Sequence, residues 1–219
     1  LLTALNKELA MPHRYAEIAF TPIVQAEQER HGSRRQYAQL QASARTSDRL
    51  GDAEAQFLRQ ADSFYLASVS ETGWPYVQHR GGPHGFLKVL GPTQLAFADF
   101  RGNRQYVSAG NAAGDDRVAL IVMDHVHQSR LKLFGHLRFV DIAAADPAVA
   151  RAVLDPGYPA RVERVGLIQV AAFDWNCPQH ITQRFTLEQV EDAVAPWRAR
   201  IAELERELAA ARAQRADTL

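Results

Sequence analysis

The chain has almost no cysteine: Cys177 stands alone among 219 residues. An internal disulfide is therefore excluded, and nothing points to an oxidising compartment. Long hydrophobic runs are missing as well; none approaches the roughly 18–20 residues that a membrane helix needs. The opening LLTALNKELAMPHRY holds a brief apolar piece. It lacks the h-region and the small-residue cleavage site of a secretory leader. Cytoplasm is the expected location. Excess charge of one sign is absent too, since 25 Lys+Arg balance 25 Asp+Glu. Surfaces that bind nucleic acid carry a basic footprint, so neither nucleic acid nor membrane is expected as a partner. A local basic pocket stays open.

With 47% hydrophobic residues, a domain of this size buries a core without disulfides or metals. Residues 1–50 read as an irregular, polar, helical extension. Thr21-Pro22 is a helix start, and Gly32 is suited to end that helix. Ser33 to Arg49 is rich in Gln, Ser and Arg and is expected at the surface. Asp52 opens a short helix that turns Phe57 and Leu58 towards the core. From Ser63 the period changes. SFYLASVS, PYVQHR, GFLKVL, TQLAFADF, RVALIVMD, RLKLFGHLRFVD and GLIQVAAFDW are short apolar runs parted by turn residues. They predict a mainly β, α+β fold: an antiparallel sheet curling into a barrel over 51–186. Helices are expected at Asn103–Asn111 and Asp146–Leu154.

The segment 187–219 is different. Val190, Val194, Trp197, Ile201, Leu204, Leu208 and Ala211 follow a 4-3 heptad spacing. A docked amphipathic helix and a two-stranded coil both suit it. Pro196 places the expected helix start at Trp197.

Cationic side chains and glycines concentrate between Gly73 and Gln105. Gln78-His79-Arg80-Gly81-Gly82 ends a strand where glycines let a ligand approach the backbone; an exposed hairpin arginine is the ordinary alternative. Arg101-Gly102-Asn103-Arg104 precedes an expected helix, where free amides and the helix dipole favour an anion. Arg104 would add a charge-assisted contact to phosphate. Along Ser129-Arg130-Leu131-Lys132-Leu133, alternation puts both cations on one face, either in solvent or lining a polar pocket. The loop Trp175-Asn176-Cys177-Pro178-Gln179-His180 has neither hydrolase-triad nor zinc spacing. His125 and His127 lack a third ligand, so no metal is expected.

The run from Phe64 to Asp124, followed by RLKLFGHLRFVD, resembles the pyridoxamine 5'-phosphate oxidase-like FMN-binding split-barrel family. More narrowly it is similar to its flavin-nucleotide-binding branch, which also carries the His31–Ala38 segment and a late WNCPQHI loop. The resemblance covers about residues 20–186. It implies a six-stranded split barrel that dimerises and binds FMN at the subunit interface. By position it assigns FMN contacts to Gln78, His79, Arg80, Gly81 and Gly82, and to Phe97, Ala98 and Asp99. The phosphate turn falls on Asn103, Arg104 and Gln105. A partner-subunit strand falls on Gln128, Ser129, Arg130, Leu131 and Lys132, and a late loop on Trp175, Asn176 and Gln179. The family's R-x-V-L-L-K run and its C-terminal substrate segment are not matched here, so pyridoxine phosphate oxidation does not follow.

The expected function is an FMN-dependent oxidoreductase, homodimeric, accepting hydride from NAD(P)H or another small donor. A cation near the ring, such as Arg130 or Lys132, would raise the flavin's potential. A non-catalytic flavin sensor or electron carrier stays open. So does a haem-binding relative with His180 or His125 as axial ligand.

Overall fold

The computed structural model describes residues 13–43, 48–175 and 179–216. The chain divides into two compact units. One runs to Asp124 and resumes over Ser129–Gln179; the other comprises His125–Gln128 and His180–Leu219.

Three short helices begin the first unit: α1 (Arg14–Ala19), α2 (Pro22–Arg30) and α3 (Arg34–Gln41). The Thr21 hydroxyl accepts from Val24 N and Pro22 takes the first helical position, as the sequence predicts. Gly32, at φ +73°, turns the chain after α2. In α4 (Asp52–Gln60), Glu54 Oε2 accepts from Gly51 N at 2.9 Å, and Leu58 is buried.

Seven strands follow: β1 (Ser63–Val69), β2 (Pro75–Gly81), β3 (Lys88–Gly91), β4 (Gln94–Phe100), β5 (Arg117–Asp124), β6 (Ser129–Asp141) and β7 (Val162–Trp175). All pair antiparallel in the order β2-β1-β5-β6-β7-β4-β3. Each of the seven apolar runs forms a strand. The third starts later than expected, because Gly85 is a left-handed turn (φ +69°) whose amide donates to Ala61 O at 2.8 Å. The seventh starts earlier, at Val162.

The sheet is not closed: β2 and β3 are its two edges, in place of the six-stranded count that the resemblance implied. Side chains nevertheless draw its ends together. Phe64 on β1 meets Phe97 on β4 edge to face at 5.3 Å, although β5, β6 and β7 stand between those strands in the sheet. Leu66, Leu95, Leu120, Leu133 and Ile168 fill the same interior. A second cluster of Ala96, Ala98, Val165 and Leu167 packs under Val153 of α6 (Pro147–Val153). This explains why β4 is buried on both faces.

Two helices depart from expectation. α5 spans Val107–Gly114, not Asn103–Asn111. Arg104 and Tyr106 take left-handed backbone angles of φ +62° and +55°, which a right-handed helix cannot contain. α7 spans Leu187–Ala216 and carries Pro196 inside it, instead of starting at Trp197. The proline removes one backbone donor, and the strong helix formers on both sides continue the helix around that loss. Among the described residues, no helix is long and apolar enough to cross a membrane.

The tightest backbone approach in the barrel is at Gly166, where a Cβ would strike the ring of Phe97. We expect Gly166→Ala to cost about 1–3 kcal/mol through overpacking, read by urea denaturation. An unchanged midpoint would contradict this packing.

Candidate functional site

Asp99 is 4% exposed and sits near the C-terminal end of β4. A carboxylate that deep must be paired. Arg164, its cross-strand neighbour on β7, donates through Nε to Asp99 Oδ2 at 2.9 Å. Arg80, from β2 at the far edge of the sheet, donates to Asp99 Oδ1. Both guanidiniums lie on aromatic faces: Arg80 over Phe97 and Phe139, and Arg164 over Phe139 and Tyr106. Among the described residues, Arg80 Nε is buried without a hydrogen-bond partner.

Beside this triad opens a cavity of about 200 Å³, lined among others by Gln78, Arg80, Asp99, Asn103, Arg104 and Arg164. Tyr106 and Glu163 complete its wall. Three guanidiniums against two carboxylates leave the cavity net positive. The turn 101–106 is cross-braced: Arg104 Nε donates to the Tyr106 hydroxyl at 3.3 Å, and that hydroxyl donates to Glu163 Oε2 at 3.1 Å. The Tyr106 oxygen first, then the Glu163 carboxylate, hold the Arg104 guanidinium above its ordinary range. Asn103 Oδ1 accepts from Gln105 N at 3.1 Å. Arg104 thus reaches the cavity from a strained turn three residues ahead of α5, not from a helical first turn.

The other expected residues fall in several places. Gln78 accepts from Ser108 Oγ at 2.8 Å, which ties β2 to α5. His79 faces the outside of the sheet against Tyr65. Gly82 is hemmed in by Phe86 and Phe100, and Gly81 by the His79 ring. The side chains of Phe97 and Ala98 are buried in the two hydrophobic clusters.

On β6, Leu131 and Leu133 point inward, and Arg130 and Lys132 lie on the other face, as alternation predicts. Ser129 pairs with Asp124 at the start of that strand. Lys132 contacts Asp174 at 3.0 Å and lies 4.7 Å from the Tyr15 ring centre. Burial pulls its pKa down, but Asp174 and Tyr15 together raise it above the usual lysine value. Trp175 donates to Glu54 Oε1 at 2.7 Å. Gln179 is exposed, and Asn176 lies outside the described residues. Gln128 belongs to the second unit, where its Nε2 donates to Ile181 O at 2.7 Å. In that unit His125 Nδ1 lies 3.3 Å from Thr182 O.

Tyr106, Glu163 and Arg164 line the cavity without being among the residues expected from the sequence. Tyr106 stands next to the expected phosphate turn, so its place was within reach. Arg164 was hidden because its role depends on the β4–β7 register, which local periodicity does not encode.

The family model Pyridoxamine 5'-phosphate oxidase matches residues 50–171. Solved structures similar to this chain include HupZ of Group A Streptococcus, at 12% identity over 62% of this chain and 100% of that one, TM-score 0.45. An FMN-binding protein from Syntrophomonas wolfei is 10% identical over 68% and 97% of the two chains, TM-score 0.42. A Clostridium acetobutylicum protein related to general stress protein 26, of the pyridoxinephosphate oxidase family, is 13% identical over 62% and 92%, TM-score 0.39. No curated protein matches the chain.

Removing the shared carboxylate should leave two buried guanidiniums uncompensated. We expect Asp99→Ala to destabilise the fold by about 3–5 kcal/mol. Replacing Arg80, Asp99 and Arg164 together by apolar residues should cost far less. Equal losses in the two variants, measured by chemical denaturation, would contradict the triad.

Proposed function

The chain belongs to the pyridoxamine 5'-phosphate oxidase family, and from that membership we propose that it is an FMN-binding oxidoreductase acting as a homodimer. The observation that carries this reading is the arginine-lined cavity, which lies wholly within the matched residues 50–171. Its donors suit a phosphate. Arg104 and Arg164 present guanidiniums, and Asn103 and Gln78 present amides. An anionic oxygen there would accept charge-assisted hydrogen bonds from the two guanidiniums.

At about 200 Å³, the cavity is smaller than the roughly 300 Å³ or more of sites that enclose a whole drug-sized ligand. It suits the phosphate end of FMN, with Asn103, Arg104 and Gln105 at that end. Gln78 to Gly82 and Phe97 to Asp99 then offer mainly backbone, since Phe97 and Ala98 are buried. The remaining enclosure falls to a second copy, through Gln128 to Lys132, Trp175, Asn176 and Gln179. Dimerisation is supported by the outer face of β1 and β2, where Tyr65 (45%), Val69 (40%) and Val77 (61%) are exposed side by side. Bound FMN supplies hydride acceptance. The protein's part is to hold the phosphate, keep Lys132 protonated beside Asp174, and exclude water. NAD(P)H or another small donor is the proposed source of electrons.

Purified protein should bind FMN and turn yellow, and NADPH or NADH should bleach it in stopped flow with reoxidation afterwards. A bound flavin that neither nicotinamide reduces would sink the oxidoreductase reading and leave a carrier or sensor. Arg104→Ala should weaken FMN binding roughly tenfold or more, as expected for loss of a hydrogen bond to a charged group. Unchanged affinity by fluorescence titration would contradict the phosphate assignment.

A further inference from the structure

α7 carries more apolar surface than it covers. From Leu187 to Gln214 every residue is exposed except the half-covered Val194. Trp197 is 72% exposed, Ile201 56%, Leu204 45% and Leu208 51%. Helices in proteins are stabilised chiefly by packing one face against something. A 30-residue helix with an open seam therefore needs an occupant.

The seam names its own register. Val194, Ile201 and Leu208 take the a sites of a heptad, and Val190, Trp197, Leu204 and Ala211 take the d sites. Two of the a residues, Val194 and Ile201, are β-branched, which favours two parallel strands where leucine takes d, and Leu204 is the one leucine at d. The flanks then decide the partner. The e sites read Glu191, Arg198, Glu205, Arg212, and the charged g sites read Arg200 and Glu207. A partner of one charge sign would be repelled by half of these positions. A second copy in parallel register is not: each g residue faces the e residue five places on in the other helix. Arg200 meets Glu205 of the other copy, Glu207 meets Arg212, and twofold symmetry repeats both pairs. In the single helix Arg200 leans on Glu203 and lies 3.9 Å from Glu207. Both contacts are exposed, so little is lost when Arg200 turns to a new partner.

We propose that α7 pairs with α7 of a second copy of this chain as a parallel two-stranded coiled coil over Val190–Ala211. The pairing is separate from the barrel-face contact proposed above and does not depend on flavin.

Site-directed cross-linking of the full chain, with Cys177→Ser as background, tests it. In the parallel coil Ala211 lies beside its own copy, whereas Ala213 is on the opposite side of the helix. Under mild oxidation Ala211→Cys should give a disulfide-linked dimer, with a yield several-fold above that of Ala213→Cys. Adding Glu205→Arg should lower the Ala211→Cys yield several-fold, and adding Arg200→Glu to that variant should restore it. Circular dichroism of each variant should show unchanged helix content. Equal linking of the two cysteines, no linking, or preferential linking of Val190→Cys chains to Ala211→Cys chains would overturn the proposal, the last because it reports antiparallel helices. Flavin content of the same samples keeps the two readings apart. Linked dimers without flavin would defeat the FMN reading while supporting the coil.

Discussion

A single buried carboxylate, Asp99, shared by Arg80 and Arg164, holds the open end of the barrel. The sheet has two unpaired edges, and exposed edges invite pairing with other chains. Here the edge strand β2 reaches across to β4, next to the opposite edge, through the Arg80–Asp99 pair. The sheet ladder does not join those two strands. The bond is ionic, partly desolvated, and set on the aromatic faces of Phe97, Phe139 and Tyr106. Breaking one partner of such a group is costly even where its net gain over an apolar set is small. The interaction is thus better understood as fixing geometry than as adding stability.

That geometry is also what shapes the cavity. Two of the three arginines lining it, Arg80 and Arg164, are held in place by Asp99 before any ligand arrives. Their planar forks are pre-organised, so less side-chain entropy is lost on binding an anion. Arg104 stands apart, braced by Tyr106 and, through it, Glu163. Its turn stores two left-handed residues, Arg104 and Tyr106, in a conformation that most side chains avoid. Both residues line the cavity.

Much of this was legible in the sequence, and the omissions share a cause. Short apolar runs parted by turn residues located all seven strands, because strand composition and turn chemistry are local signals. Thr21, Pro22, Gly32 and Asp146 marked helix ends through local chemistry that needs no tertiary context. α5 starts later than Asn103 suggests, since that residue has the chemistry of a cap but the left-handed Arg104 and Tyr106 that follow it delay the helix. Pro196 does not break α7, because strong helix formers flank it on both sides. At the site, Arg80, Asp99 and Arg104 drew attention as individual residues, but the pairing of Arg80 with Asp99 joins residues on distant strands. Arg164 was missed for the same reason: only the register across β4 and β7 reveals it.

The central claim is that this positive cavity exists to receive a phosphate. Comparing the affinities of the purified protein for FMN and for riboflavin isolates that group, since the two ligands share ring and ribityl chain. The account predicts that FMN binds at least about tenfold more tightly, in keeping with hydrogen bonds to a charged group, and that added salt narrows the difference. Equal affinities for FMN and riboflavin would contradict it.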